Sequence, residues 1–355
     1  MKAILAIDSF KGCVTSAAAN EAAASGVRRR YPEAEIVKIP VSDGGEGWLD
    51  AFHAAIGGEI VSVDAVDPLM RPIKADYLKA GDLAAIEVAK ACGLTLLAPD
   101  ERNPLKAMTY GVGLLVVDAV KSGCRRIVVG LGGSATSDAG RGMITAIEEH
   151  LNGGKSLVDC KALNGVKFSI ASDVDNPLCG PRGAAHIFAP QKGATPEMVE
   201  ILDRQAREFA DATAASYGFD HSEQPGAGAA GGLGYAFMQF LNADCQLGIE
   251  LLLDTIDFRS IVEGADVVFT GEGSADRQTL MGKLPYGVMR RALDAGVSTY
   301  LIAGHVADRQ SLVDAGFADA VCINPPGLPL AEAMRPEVAT ANIADTVERV
   351  LMHNS

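Results

Sequence analysis

The sequence contains no long apolar run and few aromatic residues. Aromatic side chains make up 5% of the 355 residues, and no window approaches the run of about 18 to 20 apolar residues that spans a membrane. The opening MKAILAIDSFKG is apolar over too short a stretch for a signal peptide and has no small-residue cleavage site. We therefore expect no membrane partner and a cytoplasmic location.

Paired cysteines and clustered positive charge are also missing. The seven cysteines are scattered and none forms a CxxC pair, so neither a disulfide framework nor a zinc site is predicted. The formal net charge of −14 opposes non-specific binding of nucleic acids, because that binding depends on neutralisation of phosphates by Lys and Arg. An anionic ligand would need local cations or a metal ion to overcome the field of the whole protein.

What the sequence does contain is an alternation of strand and helix patterns at both ends. Five runs have the pattern of buried strands: KAILAID, EIVKIPV, ADVVFTGEG, VSTYLIAGHV and DAVCINPP. Helical patterns separate them, and Ser16 is the expected cap of the first helix. Because strands that alternate with helices form parallel sheets, we expect one doubly wound α/β sheet.

The middle of the chain has a different pattern. Short alternating runs broken by Pro and Gly, from residue 59 to 89, predict antiparallel strands. Residues 110–151 then predict a helix, a strand, a glycine turn and a second helix. We therefore predict a discontinuous α/β domain of residues 1–60 and 260–355, interrupted by a second α/β domain of mixed sheet at 61–259.

Polar residues follow three of the predicted strands, at the strand ends where doubly wound sheets bind their ligands. The runs are DSFKG (8–12) and two predicted glycine turns, SDGGEG (42–47) and TGEG (270–273), and in the strand order 2-1-3-4-5 they would be neighbours. Their charged side chains are Asp8, Lys11, Asp43, Glu46 and Glu272. Ordinary turns with solvated acids are the alternative, but three coincident polar ends favour a ligand site.

The inserted region has glycine loops of its own. VVGLGGSATSDAGRG (128–142) places Ser134, Thr136, Ser137 and Asp138 at a predicted helix start. Free N–H groups there could bind an anion, and ordinary capping is the open alternative. GAGAAGGLG (226–234) has the GxGxxG spacing without a preceding strand, so it is no dinucleotide fingerprint, although a backbone cradle for phosphates stays open. GxxxxGK[ST] does not occur, which excludes a P-loop.

Two further loops carry polar side chains. One groups three of them: Asp173, Asp175 and Asn176. The other places Lys192 beside a glycine, before a helix that would begin at Thr195-Pro196. The sequence has many acids and glycines, a few loop lysines, and no metal spacing of histidines or GxSxG nucleophile. This set fits phosphoryl transfer best, since that chemistry needs carboxylate-held Mg²⁺, cationic clamps and a base. Taken alone, each lysine is typical of a solvated surface residue.

Seven sequence blocks follow one another along essentially the whole chain: DSFKG, SDGGEG, ERNPLKAMTYGVG, GLGGSATSDAG, DVDNPLCGPRGAAHIFAPQKGATP, PGAGAAGGLG and TGEGSADRQTLMGK. Together, in this order, they closely resemble the bacterial type I glycerate kinase family. The resemblance implies ATP- and Mg²⁺-dependent phosphorylation of D-glycerate, generally at the 2-hydroxyl to give 2-phosphoglycerate. It also implies a flavodoxin-like domain that carries a second α/β domain, with the active site in the cleft between them.

Three features depart from the family pattern. Ser274-Ala275-Asp276 stands where Arg-Leu-Asp is usual, which makes the following Arg277 a candidate substitute for that arginine. His305 stands where arginine is common, and the segment around residues 150–170 is short. None of these departures removes an acid or a lysine of the predicted site.

In the kinase hypothesis the predicted residues fall into four groups. The catalytic group contains two candidate bases and two cations: Asp173, Asp43, Lys11 and Lys283. The nucleotide group is Gly132, Gly133, Ser134, Lys192, Gly228, Gly231 and Gly232. The substrate group is Asp8, Ser9, Asp175, Asn176 and Arg277. The metal group is Glu272, Asp276 and Glu46.

Three other functions stay open at this point. A kinase of a related small hydroxy acid and a glycerate 3-kinase would need the same residue types, since one side chain can decide between small substrates. A non-catalytic protein that binds a sugar acid would not need the full set of acids. Nucleotide preference does not follow from the sequence, which is compatible with a homodimer.

Overall fold

The chain folds into alternating strands and helices. In a computed structural model, the structure describes residues 1–10, 12–41 and 47–353. Its strands are β1 (Lys2–Ile7), β2 (Glu35–Lys38), β3 (Glu59–Val66), β4 (Pro72–Ala80), β5 (Leu83–Glu87), β6 (Arg126–Gly130), β7 (Lys167–Ala171), β8 (Asp244–Gln246), β9 (Val267–Ala275), β10 (Thr299–Val306) and β11 (Asp319–Cys322).

The helices are α1 (Ser16–Arg30), α2 (Trp48–Ile56), α3 (Ala89–Cys92), α4 (Tyr110–Lys121), α5 (Arg141–Asn152), α6 (Ala184–Phe188), α7 (Pro196–Tyr217), α8 (Ala229–Leu241), α9 (Gly248–Thr255), α10 (Phe258–Val262), α11 (Leu284–Asp294), α12 (Arg309–Asp314), α13 (Leu330–Ala333) and α14 (Pro336–His353). Within the described ranges, no helix combines the length and the apolar character that crossing a membrane requires. The predicted cytoplasmic location stays a prediction.

The chain divides into two compact units. Unit 1 consists of Met1–Asp43, Asp50–Ala55 and Leu252–Ser355, and unit 2 consists of Gly44–Leu49 and Ile56–Leu251. Compactness alone does not show that a unit folds independently. The predicted domain bounds, and the cleft expected between the domains, therefore stay predictions.

Unit 1 is built on a parallel sheet with the strand order β2-β1-β9-β10-β11. This is the order 2-1-3-4-5, the order in which the three polar strand ends would be neighbours. α1 and α14 cover one face, with Ala23, Val27 and Ile343 in the core. α11 and α12 cover the other face, with Met289 and Leu312 in a second core. The prediction of a doubly wound α/β sheet is confirmed.

The first helix begins one residue earlier than the predicted cap requires. Thr15 is the N-cap residue, and its Oγ1 accepts a hydrogen bond from the Ala18 amide at 3.3 Å. Ser16, the cap expected from the sequence, is the first helical residue, and its Oγ donates to the Ile7 carbonyl at 2.6 Å. Serine and threonine are both good cap residues, so the sequence did not decide between the two neighbours. The expectation for Ser16 was wrong because its hydroxyl binds the end of β1.

Unit 2 contains a mixed sheet with the order β3-β4-β5-β6-β7-β8. β3, β4 and β5 pair antiparallel, whereas β5 to β8 pair parallel. Strand residues such as Ile86, Val129 and Ile170 share one core with Val116 of α4 and Phe237 of α8. The mixed sheet predicted for the inserted region is confirmed.

Candidate active site

The carboxyl end of β1 lies beside the interior of β9 in unit 1. Ile7 pairs with Gly271, and the Asp8 amide donates to the Gly271 carbonyl at 2.9 Å. Asp8 and Ser9 therefore follow a strand whose neighbour carries Glu272. The other charged residues predicted at this edge lie outside the described residues: Lys11, Asp43 and Glu46.

The run Thr270–Gly273 lies inside β9, although a turn was predicted there. β9 continues to Ala275 and pairs with β10 along this part of its length. A Cβ atom on Gly271 would overlap the Ile302 carbonyl oxygen, so this glycine permits close approach of two strands. The turn prediction was wrong because a glycine at a close strand contact has the same sequence signature as a glycine in a turn.

Glu272 is a buried acid with two polar neighbours. Its residue is 9% exposed, Thr279 Oγ1 donates to its Oε1 at 2.6 Å, and Lys283 Nζ lies 3.6 Å from its Oε2. Burial raises the pKa of Glu272, the charge of Asp276 raises it further, and Thr279 and Lys283 oppose the shift. A divalent cation beside these two carboxylates would stabilise their charged forms.

A metal site made by protein side chains alone is not found in the part of the chain that the structure describes. No group of three or more His, Cys, Asp or Glu residues there could hold a metal ion. Mg²⁺ usually keeps several waters and takes only one or two carboxylates together with substrate phosphates. Glu272 and Asp276 fit that smaller requirement, and Glu46 falls outside the described residues.

Arg277 follows the acids in a surface ion pair. Its Nε donates to Asp308 Oδ2 at 2.7 Å. Asp276 Oδ1 accepts a hydrogen bond from the Gln278 amide at 2.7 Å, which caps a short 3₁₀ turn over Arg277–Leu280. The contact of Arg277 with substrate stays a prediction.

In unit 2, the loop after β7 gathers three predicted side chains. Asp173 is exposed, and its Oδ1 accepts a hydrogen bond from the Gly248 amide at 3.1 Å. Asp175 forms an ion pair with Arg182 at 3.1 Å, and Asn176 Nδ2 donates to the Arg182 carbonyl at 2.7 Å. One arginine thus fixes two of the three side chains, and an amide of α9 contacts the third.

The helix start expected to bind an anion is capped by protein groups. α5 begins at Arg141, and the Arg141 amide donates to the Asp138 carbonyl at 3.1 Å. The Gly142 amide donates to Asp138 Oδ2 at 3.0 Å, and the Met143 amide donates to Thr109 Oγ1 at 2.9 Å. Capping, the alternative at this position, accounts for the pattern, and these three donors are not free for an anion.

Lys192 is a buried lysine that binds the loop before α5. It is 4% exposed, and its Nζ donates to Ser134 Oγ at 2.9 Å and to the Thr136 carbonyl at 2.7 Å. Burial lowers the pKa of Lys192 to about 8, although Cys92 and Asp138 oppose the shift. Its observed partners are protein groups, and a direct contact with nucleotide stays a prediction.

Replacing Lys192 by Met is expected to change how stability depends on pH. The folded-state pKa, about 8, lies below the ordinary 10.5. Between these values the folded protein binds fewer protons than the unfolded chain, so the wild type gains stability as pH rises. At about 1.4 kcal/mol per pKa unit, the gain relative to Lys192→Met should be on the order of 2 to 3 kcal/mol. Urea unfolding across this window measures it, and parallel pH curves would contradict it.

The glycine-rich run of unit 2 packs closely against other backbone. Gly231 and Gly232 have φ angles of +69° and +94°. A Cβ atom on Gly231 would overlap the Thr136 carbonyl oxygen. The Gly228 amide donates to the Asn176 carbonyl at 2.8 Å. Packing therefore accounts for these glycines without a ligand, and their part in nucleotide binding stays a prediction.

Gly231→Ala is expected to destabilise the protein by about 3 kcal/mol or more, because it adds both a steric overlap and a strained backbone angle. Gly218→Ala is the matched control, since Gly218 has a φ of +78° but no atom within 4 Å of an added Cβ. The control should cost only about 1 to 2 kcal/mol. Equal losses of unfolding free energy in the two variants would show that packing does not select glycine at 231.

Unit 2 also contains a pocket that the sequence did not predict. Its volume is about 180 Å³, and its lining includes Lys106, Ser137, Asp138, Arg141 and Leu202. Ser137 and Asp138 belong to the glycine loop at 128–142, for which anion binding was one of two interpretations. Within the described ranges, no member of the four predicted groups of site residues lines the pocket. Lys106 carries no spacing or glycine signal, and the position of Arg141 between Gly140 and Gly142 does not distinguish it from a solvated cation.

Known proteins resemble this chain along nearly its whole length. A model of the glycerate kinase family matches residues 3–354. The glycerate kinase of Bacillus subtilis (strain 168) is 40% identical over 354 residues, which cover 94% of this chain and 93% of that protein. The glycerate 2-kinase of Escherichia coli (strain K12) is 36% identical over 344 residues, or 90% of each protein.

A solved structure extends the likeness to three dimensions. It is a crystal structure from Salmonella typhimurium LT2 of a protein assigned as glycerate kinase 2. The TM-score is 0.86 at 34% sequence identity, and the alignment covers 100% of this chain and 98% of that chain. The two proteins are therefore similar in fold and also in sequence.

Proposed function

Because the chain belongs to the glycerate kinase family, we propose that it transfers the γ-phosphoryl group of ATP to D-glycerate. The proposed acceptor is the 2-hydroxyl, and the products are 2-phosphoglycerate and ADP. The observation that carries this proposal is the end-to-end family match, which includes a relative named glycerate 2-kinase at 36% identity. The small acid and the nucleotide are the ligands, and the cytoplasm is the proposed location.

The proposed general base is Asp173. The acceptor hydroxyl must lose its proton as it attacks the γ-phosphorus, and a carboxylate within hydrogen-bond reach can take that proton. The bond from the Gly248 amide to Asp173 Oδ1 orients the carboxylate, and its exposure leaves it accessible to a small acid. Asp43 is the second candidate, and it lies outside the described residues.

Glu272 and Asp276 are the proposed magnesium ligands. When bound, Mg²⁺ neutralises charge that develops on the transferred phosphoryl group and on its leaving oxygen. Lys283, whose Nζ lies 3.6 Å from Glu272 Oε2, is proposed to bind phosphate. Its side chain is 42% exposed, so the ammonium is accessible to an anionic phosphate.

The loop after β6 is proposed to bind nucleotide phosphates through backbone N–H groups. Gly132 and Gly133 lack side chains that would keep a phosphate away from the main chain. Gly133 has a φ of +76°, and consecutive amides in such conformations can form an anion-binding concavity. The N–H groups of α5 itself are committed to Asp138 and Thr109, so the loop is the better candidate.

³¹P NMR of the purified protein with D-glycerate, ATP and Mg²⁺ tests the proposed reaction. We expect a 2-phosphoglycerate signal that needs both the nucleotide and the metal, and that is lost with excess EDTA. A 3-phosphoglycerate signal would keep the kinase and reverse its regiochemistry. If glycerate gave no product but a related hydroxy acid did, that acid would be assigned as the substrate in place of glycerate. No transfer to any acid would favour a binding protein.

A further inference from the structure

The loop after β6, residues 131–137, is fixed to unit 2 from two sides. On the first side the contacts are between main-chain groups. The Leu94 amide donates to the Gly133 carbonyl at 2.9 Å, and the Ala135 amide donates to the Cys92 carbonyl at 2.8 Å. These bonds hold the middle of the loop beside the segment that follows α3.

The second side is held by the ammonium group of Lys192. An ammonium has three N–H donors, and two of them bind Ser134 Oγ at 2.9 Å and the Thr136 carbonyl at 2.7 Å. Both acceptors belong to the loop, and Lys192 is 4% exposed. Burial of an ammonium is costly unless hydrogen bonds compensate for the lost water, so this contact is more than an incidental surface bond.

The segment that carries Lys192 is itself anchored. It forms a 3₁₀ turn over Pro190–Lys192 that ends at Gly193, with a φ of +92°. A Cβ atom on Gly193 would lie 2.6 Å from the Arg102 carbonyl oxygen, so the turn packs directly on backbone there. Thr195 then caps α7. The backbone on both sides of Lys192 is therefore fixed by packing and by hydrogen bonds.

We propose that Lys192 is a positioning residue, which holds loop 131–137 in the conformation that receives the nucleotide phosphates, without touching the nucleotide itself. The inference rests on the proposed function and deepens it, because it says how the nucleotide loop is held. It replaces the direct phosphate contact expected for this lysine. The reason is geometric: two of its three donors are used inside the protein, and almost none of its surface is exposed.

Hydrogen exchange and nucleotide binding test the two halves of this inference in Lys192→Met. We expect faster amide exchange in residues 131–137 and, for a lost charged hydrogen-bond donor, about a tenfold weaker Kd for a non-hydrolysable ATP analogue with Mg²⁺. The KM for ATP should rise by a similar factor while the KM for glycerate stays unchanged. Lys90→Met is the matched control, since Lys90 is exposed on neighbouring α3. It should change none of these quantities.

Ser134→Ala is the second variant, in case Lys192→Met folds poorly. It removes one acceptor of Lys192 and leaves the ammonium charge in place. The increase in amide exchange and the rise in Kd should therefore both be smaller than in Lys192→Met. Unchanged exchange in 131–137 would overturn the positioning role. Faster exchange with an unchanged Kd, or equal rises of both KM values, would overturn the link to the nucleotide. If the wild type binds the analogue but phosphorylates no glycerate, the proposed function fails while the exchange and Kd comparisons still decide this inference.

Discussion

Asparagine in place of Asp173 is expected to lower the rate of glycerate phosphorylation by about a hundredfold or more, the size of a lost general base. The substitution keeps the shape of the side chain and an oxygen that can accept from the Gly248 amide, but it removes the basic oxygen. Nucleotide binding should therefore change little. Initial rates of ADP release, measured with saturating ATP and a range of glycerate concentrations, report the change in kcat.

Asp244→Asn is the matched control for this experiment. Asp244 is exposed at the start of β8, the strand that pairs with β7 just before the loop that carries Asp173. The same chemical change there should leave kcat within about twofold, as is typical of a surface substitution. A kcat for Asp173→Asn above roughly a tenth of the wild-type value would reject Asp173 as the base and move the assignment to Asp43.

Glutamine in place of Glu272 is expected to raise the Mg²⁺ concentration needed for half-maximal activity by about tenfold or more. The neutral amide can still accept from Thr279, but it is a poor ligand for a hard cation. The same variant should melt no lower than the wild type at pH 7. The pKa of Glu272 is raised by burial, so the folded state binds more protons and loses stability as pH rises through the folded-state pKa.

Two measurements check this pair of effects. A Mg²⁺ titration of the initial rate gives the metal dependence, and thermal unfolding without Mg²⁺ gives the stability. Glu263→Gln is the control, because Glu263 is exposed and its carbonyl, not its carboxylate, accepts from Lys2. An unchanged metal dependence in Glu272→Gln would remove this residue from the magnesium site. A clear fall in melting temperature would mean that Lys283 outweighs the cost of burial.

The doubly wound class of the unit 1 sheet was predictable because it follows from local patterns. Apolar strands, helices between them and polar residues after them all point to a doubly wound sheet. The interior of β9 was not predictable in this way. Gly271 is glycine because of the Ile302 carbonyl on the adjacent strand, and nothing near position 271 in sequence carries that information.

The surroundings of the charged residues were less predictable than the fold. Lys192 binds Ser134, which is 58 positions away in sequence, and a lysine in a polar loop reads the same whether it is buried or solvated. Thr279 was missed as a partner of Glu272 for a related reason. The spacing Asp276-x-x-Thr279 is a capping signal, and it could have identified the turn, but not the acid to which the hydroxyl donates.

The sheet of unit 1 joins the two ends of the chain, which constrains how the protein can be synthesised. β1 lies between β2 and β9, and the Thr270 hydroxyl donates to the Ala6 carbonyl across 264 positions. During synthesis on the ribosome, β1 and α1 emerge before β9 and α14, the elements that cover their apolar faces. All of residues 56–251 are synthesised in between. Unit 2 can fold during that interval. The core around β1 and α1 is therefore completed only after Phe269, Ile302 and Ile343 have been synthesised.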